Sequence, residues 1–210
     1  MSKSRMAIFS PIAVIVMGFA IAFTFYPIID EWAFIPLAFA YWTVIFLVSY
    51  KALGKADFAQ LFVKPERKPL WVVLSLVVGF IPLPIFLMNL WLFDSPFIIA
   101  LWFVFAIINP FCEQVYWRGF MLSSLPFPPK VSVLYSTLFF VLSHPLMWGV
   151  FSVGNRSWMA WFSIAVMGIV WGVVYLKTKS LWWCVISHFM VNIFNLSVFV
   201  MLNIYIPPHM

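Results

Sequence analysis

The chain has 210 residues, 65% of them hydrophobic and 9% charged, where soluble domains carry roughly 45 to 50% and 25%. Twelve Lys and Arg with six Asp and Glu cannot cover a soluble globule this apolar, which excludes a soluble enzyme and leaves an integral membrane protein. The net charge of +6 comes from bases set between apolar runs, not from a basic face interleaved with aromatics, so it points to topology and anionic lipid and not to nucleic acid.

In chain order, the first predicted span covers residues 6–26, behind Lys3 and Arg5. Its length and the lack of a small-residue cleavage site favour a retained helix over a signal peptide. The second span is 33–50, and the basic stretch 51–69 after it reads as a loop. A third span, 70–91, contains Pro82 and Pro84; the fourth, 96–125, contains Pro110, and the fifth, 131–150, contains Pro145. Each of these prolines predicts a kink. The sixth span is 158–176 and the seventh 181–202. Runs of this length without strict alternation are helices and not barrel strands. The expected fold is therefore all-α and polytopic, a single membrane domain over 1–210 with about seven transmembrane helices. Ten of the twelve bases, Lys3, Arg5, Lys51, Lys55, Lys64, Arg67, Lys68, Lys130, Lys177 and Lys179, then share one side, with Arg156 opposite and Arg118 inside a span. That asymmetry predicts a cytoplasmic N-terminus and a C-terminus outside, in what reads as the cell membrane. Cys112 and Cys184 lie in apolar runs with no CxxC spacing, so they read as fillers and not as a disulfide or zinc framework.

Charge at membrane depth costs at least ~2.5 to 3.5 kcal/mol per group and needs a reason. Glu113 is the single acidic residue beyond Asp94, and it lies inside the fourth span beside Gln114 and five residues before Arg118. His144 and His188 also fall mid-span, and Asn192 follows His188 at i+4, on the same helix face. Counting about 1.5 Å per residue from the basic ends places Glu113, His144, His188 and Asn192 all ~14 to 21 Å deep. Three helices thus bring polar groups to one layer, within reach of the cytoplasmic side. Read singly, each has a plain structural alternative: an ion pair of Glu113 with Arg118, or interhelical hydrogen bonding by the histidines, Asn192, Asn195 and Asn109. Gly168 and Gly172 form a GxxxG pair, which predicts close helix packing.

Glu113-Gln114-Val115-Tyr116-Trp117-Arg118, Phe140 to His144, and His188 to Asn192 resemble, in this order, the EExxxR, FxxxH and HxxxN/D motifs of the CPBP or Abi family of intramembrane proteases, which includes the type II CAAX prenyl endopeptidases. The resemblance covers the second half, with 96–194 as the motif-bearing core. It implies an intramembrane endopeptidase in which Glu113 and His144 activate a water, His188 and Asn192 stabilise the oxyanion, and Gln114 and Arg118 support them. Its implied substrate is a membrane-anchored protein or peptide, of CAAX type in the named relatives, and no cofactor is required. One departure stands out: Gln114 replaces the family's second glutamate, so it can hydrogen-bond Arg118 but cannot neutralise it. Three rival readings remain open at this stage. A zinc protease could use the same Glu and His donors, although HExxH is absent. A non-catalytic scaffold or immunity protein would use the cluster to lock helices. A transporter would use it as an ion path.

Overall fold

A computed structural model of the chain describes residues 2–207. Its first helices, α1 (Lys3–Ile29) and α2 (Phe34–Gln60), fold back on each other through a 3-10 turn at Asp30–Ala33. Lys3 Nζ meets Asp57 Oδ2 at 2.8 Å, which ties the start of α1 to the end of α2. Ser2 caps α1 by accepting the Arg5 N–H at 3.3 Å, satisfying one of the four unpaired amides of a helix start. Inside α2, Gly54 takes φ 74°, a left-handed backbone that glycine adopts without a Cβ penalty, and the helix kinks there.

Helix α3 (Pro69–Phe80) begins with proline at a position where its missing N–H costs nothing. The next pair of prolines ends it: α4 (Leu83–Met88) starts after Pro82, and the third predicted span is thus two helices. Helix α5 (Pro96–Gln114) is capped by Ser95 and continues through a π-helical turn, Val115–Phe120, into α6 (Met121–Ser124). Helix α7 (Pro129–Leu146) stops one residue past Pro145. Residues 147–157 form two 3-10 turns. Arg156 caps the first of them, donating from Nε to Gly149 O and from Nη2 to Val150 O at 2.5 and 2.8 Å. Helices α8 (Trp158–Thr178), α9 (Trp182–Phe194) and α10 (Ser197–Met201) complete the bundle, and among the described residues there is no strand.

Among the described residues, five helical segments are long and apolar enough to cross a membrane. The first, Lys3–Gln60, has 58 residues, far beyond the ~20 that a 30 Å core needs, and its fold-back at Asp30–Ala33 makes it a helical hairpin. The seventh predicted span, 181–202, is not one helix. It breaks at Leu196, which takes φ 57°. In a continuous helix the Asn192 carbonyl would receive the Leu196 amide; here it accepts the Trp102 indole N–H at 3.0 Å, and Leu196 turns back to Ile193 O at 3.2 Å. A 13-residue α9 remains, too short to span alone.

The bundle has two chemically different ends. At one, Leu61 O accepts the Leu181 amide, Thr178 O accepts the Glu66 amide and Phe62 O accepts the Trp182 indole. These bonds join the loop after α2 to the α8–α9 turn, so Lys3, Lys64, Lys177 and Lys179 lie at this basic end. At the other, Asn203 Nδ2 donates to Glu31 Oε1 at 3.0 Å and to Phe151 O at 2.8 Å. Helices α7 and α8 meet where the GxxxG pair predicts: a Cβ on Gly168 would stand 2.7 Å from Thr137 Cγ2, and one on Gly172 3.0 Å from Val133 Cγ1. Gly168→Leu is therefore expected to lower stability by about 1 to 3 kcal/mol through overpacking. Thermal unfolding in detergent measures it, with Ile169→Leu on the exposed face as the neutral control.

Candidate active site

Glu113 closes α5 one residue before the π-helical turn and is 1% exposed. A buried carboxylate needs hydrogen bonds to all its faces, and the chain supplies them from two helices. Tyr41 O–H donates to Oε1 at 2.8 Å, and Asn109, one turn earlier on α5, donates from Nδ2 to Oε2 at 3.1 Å. Both donors are themselves held: Trp117 Nε1–H donates to the Tyr41 oxygen at 2.9 Å and Trp42 Nε1–H to Asn109 Oδ1 at 2.8 Å. His188 Nε2 stands 3.5 Å from Glu113 Oε2.

The two imidazoles are fixed in opposite senses. His144 Nδ1 lies 2.8 Å from the Phe140 carbonyl oxygen, which can only accept, so the proton sits on Nδ1 and Nε2 is a bare acceptor. His188 Nδ1 lies 3.0 Å from Gln114 Nε2, an amide nitrogen that can only donate. Its Nδ1 therefore accepts and its Nε2 carries the proton, which is also the form that can bond Glu113 Oε2. The Trp171 ring stacks on His188 with centroids 4.4 Å apart and holds its plane. Asn192, one turn on, is 5% exposed, and its Nδ2 has no hydrogen-bond partner. Glu113, His144, His188 and Asn192 all line one cavity of 490 Å³, so four residues from three helices face a shared space.

The sequence places Gln114 and Arg118 together, and there the structure differs. Gln114 turns its amide to His188, and the Arg118 Nη1 and Nη2 atoms have no hydrogen-bond partner. Nor does Arg118 pair with Glu113, whose oxygens are taken by Tyr41 and Asn109. The guanidinium lies 4.3 Å from the centre of the Phe140 ring and 5.4 Å from that of Trp171, a cation–π arrangement that replaces an anion as its partner. The π-helical turn between Glu113 and Arg118 is part of the reason, because its i→i+5 bonding shifts the phase that an ideal helix would give. Among the carbonyls of this turn, that of Trp117 accepts the Ser136 hydroxyl at 2.5 Å.

Tyr41, Trp42, Asn109 and Trp117 support Glu113; the first three lie outside the three motifs, and Trp117 fills an unspecified position of the first. Asn109 reads from sequence as helix glue; its side chain instead orients the carboxylate. A hydroxyl in the middle of the mostly apolar second span, shared with Thr43, was the available signal for Tyr41. Among the described residues, no three His, Cys, Asp or Glu side chains are grouped as a metal centre requires.

Residues 95–194 match the family described as type II CAAX prenyl endopeptidase Rce1-like. No curated protein and no solved structure matches the chain. The matched segment runs from the cap of α5 to the end of α9 and contains Glu113, His144, His188 and Asn192, the residues that face the cavity. Through this Rce1-like segment the chain is related to the CPBP family of intramembrane proteases.

Proposed function

We propose that the protein is a glutamate-dependent intramembrane endopeptidase that hydrolyses a peptide bond of a membrane-anchored substrate. The observation that carries this reading is the pairing of a hydrogen-bonded carboxylate, Glu113, with two imidazoles of opposite tautomer in one cavity. Glu113 takes the proton of a water held against the bare Nε2 of His144, and the water oxygen attacks the scissile carbonyl. The oxyanion is received by the free Nδ2–H of Asn192 and by the Nε2–H of His188, which gives up its 3.5 Å contact with Glu113 Oε2 as that carboxylate takes the water's proton; both donors lie in a buried site where such bonds are strongest. Collapse of the intermediate breaks the C–N bond, and the proton held by Glu113 passes to the leaving amine. The basic end faces the cytoplasm in this reading, as the distribution of Lys and Arg favours.

The test is cleavage of membrane-anchored peptides, with and without a prenyl group, by the purified protein in vesicles. Wild type is expected to cut, a chelator to leave the rate unchanged, and Glu113→Gln to abolish it; a rate lost on chelation and restored by zinc would overturn the metal-free reading. Gln114 serves as a positioning residue in this scheme. Gln114→Leu removes about 1 kcal/mol of hydrogen bonding and frees the His188 tautomer. It is expected to lower kcat roughly five- to tenfold with little change in KM, and to split the single His188 Nε2–H signal in nitrogen NMR.

A further inference from the structure

We infer that the site is served from the end of the bundle opposite the basic loops and from the lipid flank beside it. Resting on the protease reading above, this makes its substrate a hydrophobic membrane-embedded segment whose scissile bond lies in that half of the bilayer. The three sides of the cavity carry the inference.

Toward the basic end the cavity is shut. Phe140, one turn toward that end from His144, and Trp171, stacked on His188, form its floor, and Tyr116, Trp117 and Phe120 are packed behind them; all five are at most 1% exposed. Toward the other end the cavity runs on. Asn155, Ser157 and Met159, in and after the 147–157 turns, line it, as does Pro207 near the end of the described chain. Glu113 sits nearer the basic end by residue count along α5–α6, yet the cavity runs on away from it. Distance along the helices, which favours cytoplasmic access, is therefore a poor guide here, because a packed aromatic floor blocks the shorter path.

Along the wall between the catalytic layer and the opening lies a track of polar atoms without partners. Asn192 Nδ2, Asn195 Oδ1 and Ser197 Oγ are all buried, all unbonded and all on cavity-lining residues. A buried polar group left unpaired costs about 1 to 3 kcal/mol. Three such groups on cavity-lining residues offer the hydrogen bonds that the N–H and C=O groups of an entering peptide need. On the remaining side, Ile81 and Ile85 form one rim and Phe162 and Val166 the other. Ile81 and Phe162 are each 65% exposed, so this rim faces lipid and admits apolar side chains. A polar track beside an apolar, lipid-facing rim fits a transmembrane or lipid-embedded peptide. It does not fit a soluble tail delivered from the basic side.

Single cysteines test the access side without any substrate. Ser163→Cys and Met167→Cys sit in the cavity wall, Ser157→Cys at its opening and Ser123→Cys at the basic end; Cys112 and Cys184 are buried, and the unmutated protein controls for them. A sulfonated, membrane-impermeant maleimide is added to intact cells and, separately, to inverted vesicles. Both wall cysteines are expected to label from the face that labels Ser157→Cys and not from the face that labels Ser123→Cys. Labelling from the Ser123 face, or from neither, overturns the inference. Folding of each variant is checked by its elution as a single species in detergent. In a second arm, two single-pass peptides carry the same cleavage sequence in opposite halves of the bilayer. Only the one on the Ser157 face is expected to be cut, and cutting of its twin alone overturns the substrate assignment. If neither is cut, the protease reading fails while the labelling pattern still decides the side of access.

Discussion

Glu113→Gln is expected to reduce hydrolysis at least ~100-fold, the usual contribution of a positioned general base, while the protein stays folded. The substitution keeps size and planarity. Its amide oxygen can still accept the Tyr41 hydroxyl, and the neutral side chain is easier to bury than a carboxylate. What is lost is the ability to take a proton from water. The folding side of the prediction is as specific as the kinetic one: the amide oxygen keeps the Tyr41 bond, while the amide nitrogen faces the Asn109 Nδ2 donor and loses that one, a cost of about 1 kcal/mol set against the easier burial of a neutral group. Measured by cleavage of a membrane-anchored peptide and by thermal unfolding, the variant should be inactive and folded, with stability within about 1 kcal/mol of wild type. If the variant retains full biological activity in cells, and neither it nor wild type cleaves any peptide, the protein is a scaffold and the cluster a helix lock.

Asn192→Ala is expected to lower kcat by about 10² to 10³, the cost of removing one oxyanion donor, and to leave KM within a few-fold. The split follows from the geometry. Asn192 Nδ2 has no partner in the free protein, so a bond made as charge develops on the carbonyl oxygen is nearly all gain in the transition state and little in the ground state. The backbone carbonyl of Asn192, which accepts from Trp102 and sets the break after α9, is untouched by the change, so the local fold should survive. A parallel loss in kcat and KM would assign Asn192 to substrate binding and remove it from the oxyanion site. Near-wild-type rates would return it to the role of helix glue.

Apolar length made the helices legible, since a bilayer permits few other shapes. Prolines marked the end of α3 and the end of α7. The break inside 181–202 had no such mark: it arises because Trp102, ninety residues away, takes the Asn192 carbonyl, and no local pattern encodes a partner at that separation. Much the same holds for the site. Residue type and depth singled out Glu113, His144, His188 and Asn192, because ionisable groups in a membrane are costly enough to be conspicuous. Tyr41 and the two supporting indoles were hidden among 25 Phe, 12 Trp and 7 Tyr, where belts and packing use the same residues. Arg118 was legible as anomalous and misleading in its partner. Opposite charge suggested Glu113 and spacing suggested Gln114, but aromatic faces from α7 and α8 enclose it instead.

The aromatic floor has an electrical consequence. A cavity that admits water and ions to mid-membrane carries the potential of the compartment it opens to, so the voltage between the two compartments falls across whatever dry layer remains. Here that layer is the stack of Phe140, Trp171, Trp117, Tyr116 and Phe120. Moving one elementary charge across a full 100 mV is worth about 2.3 kcal/mol, and a proton exchanged between Glu113 and the cavity crosses almost none of it. Under the proposed mechanism, turnover is therefore expected to be insensitive to resting potential, with five packed rings left to hold the ion gradient.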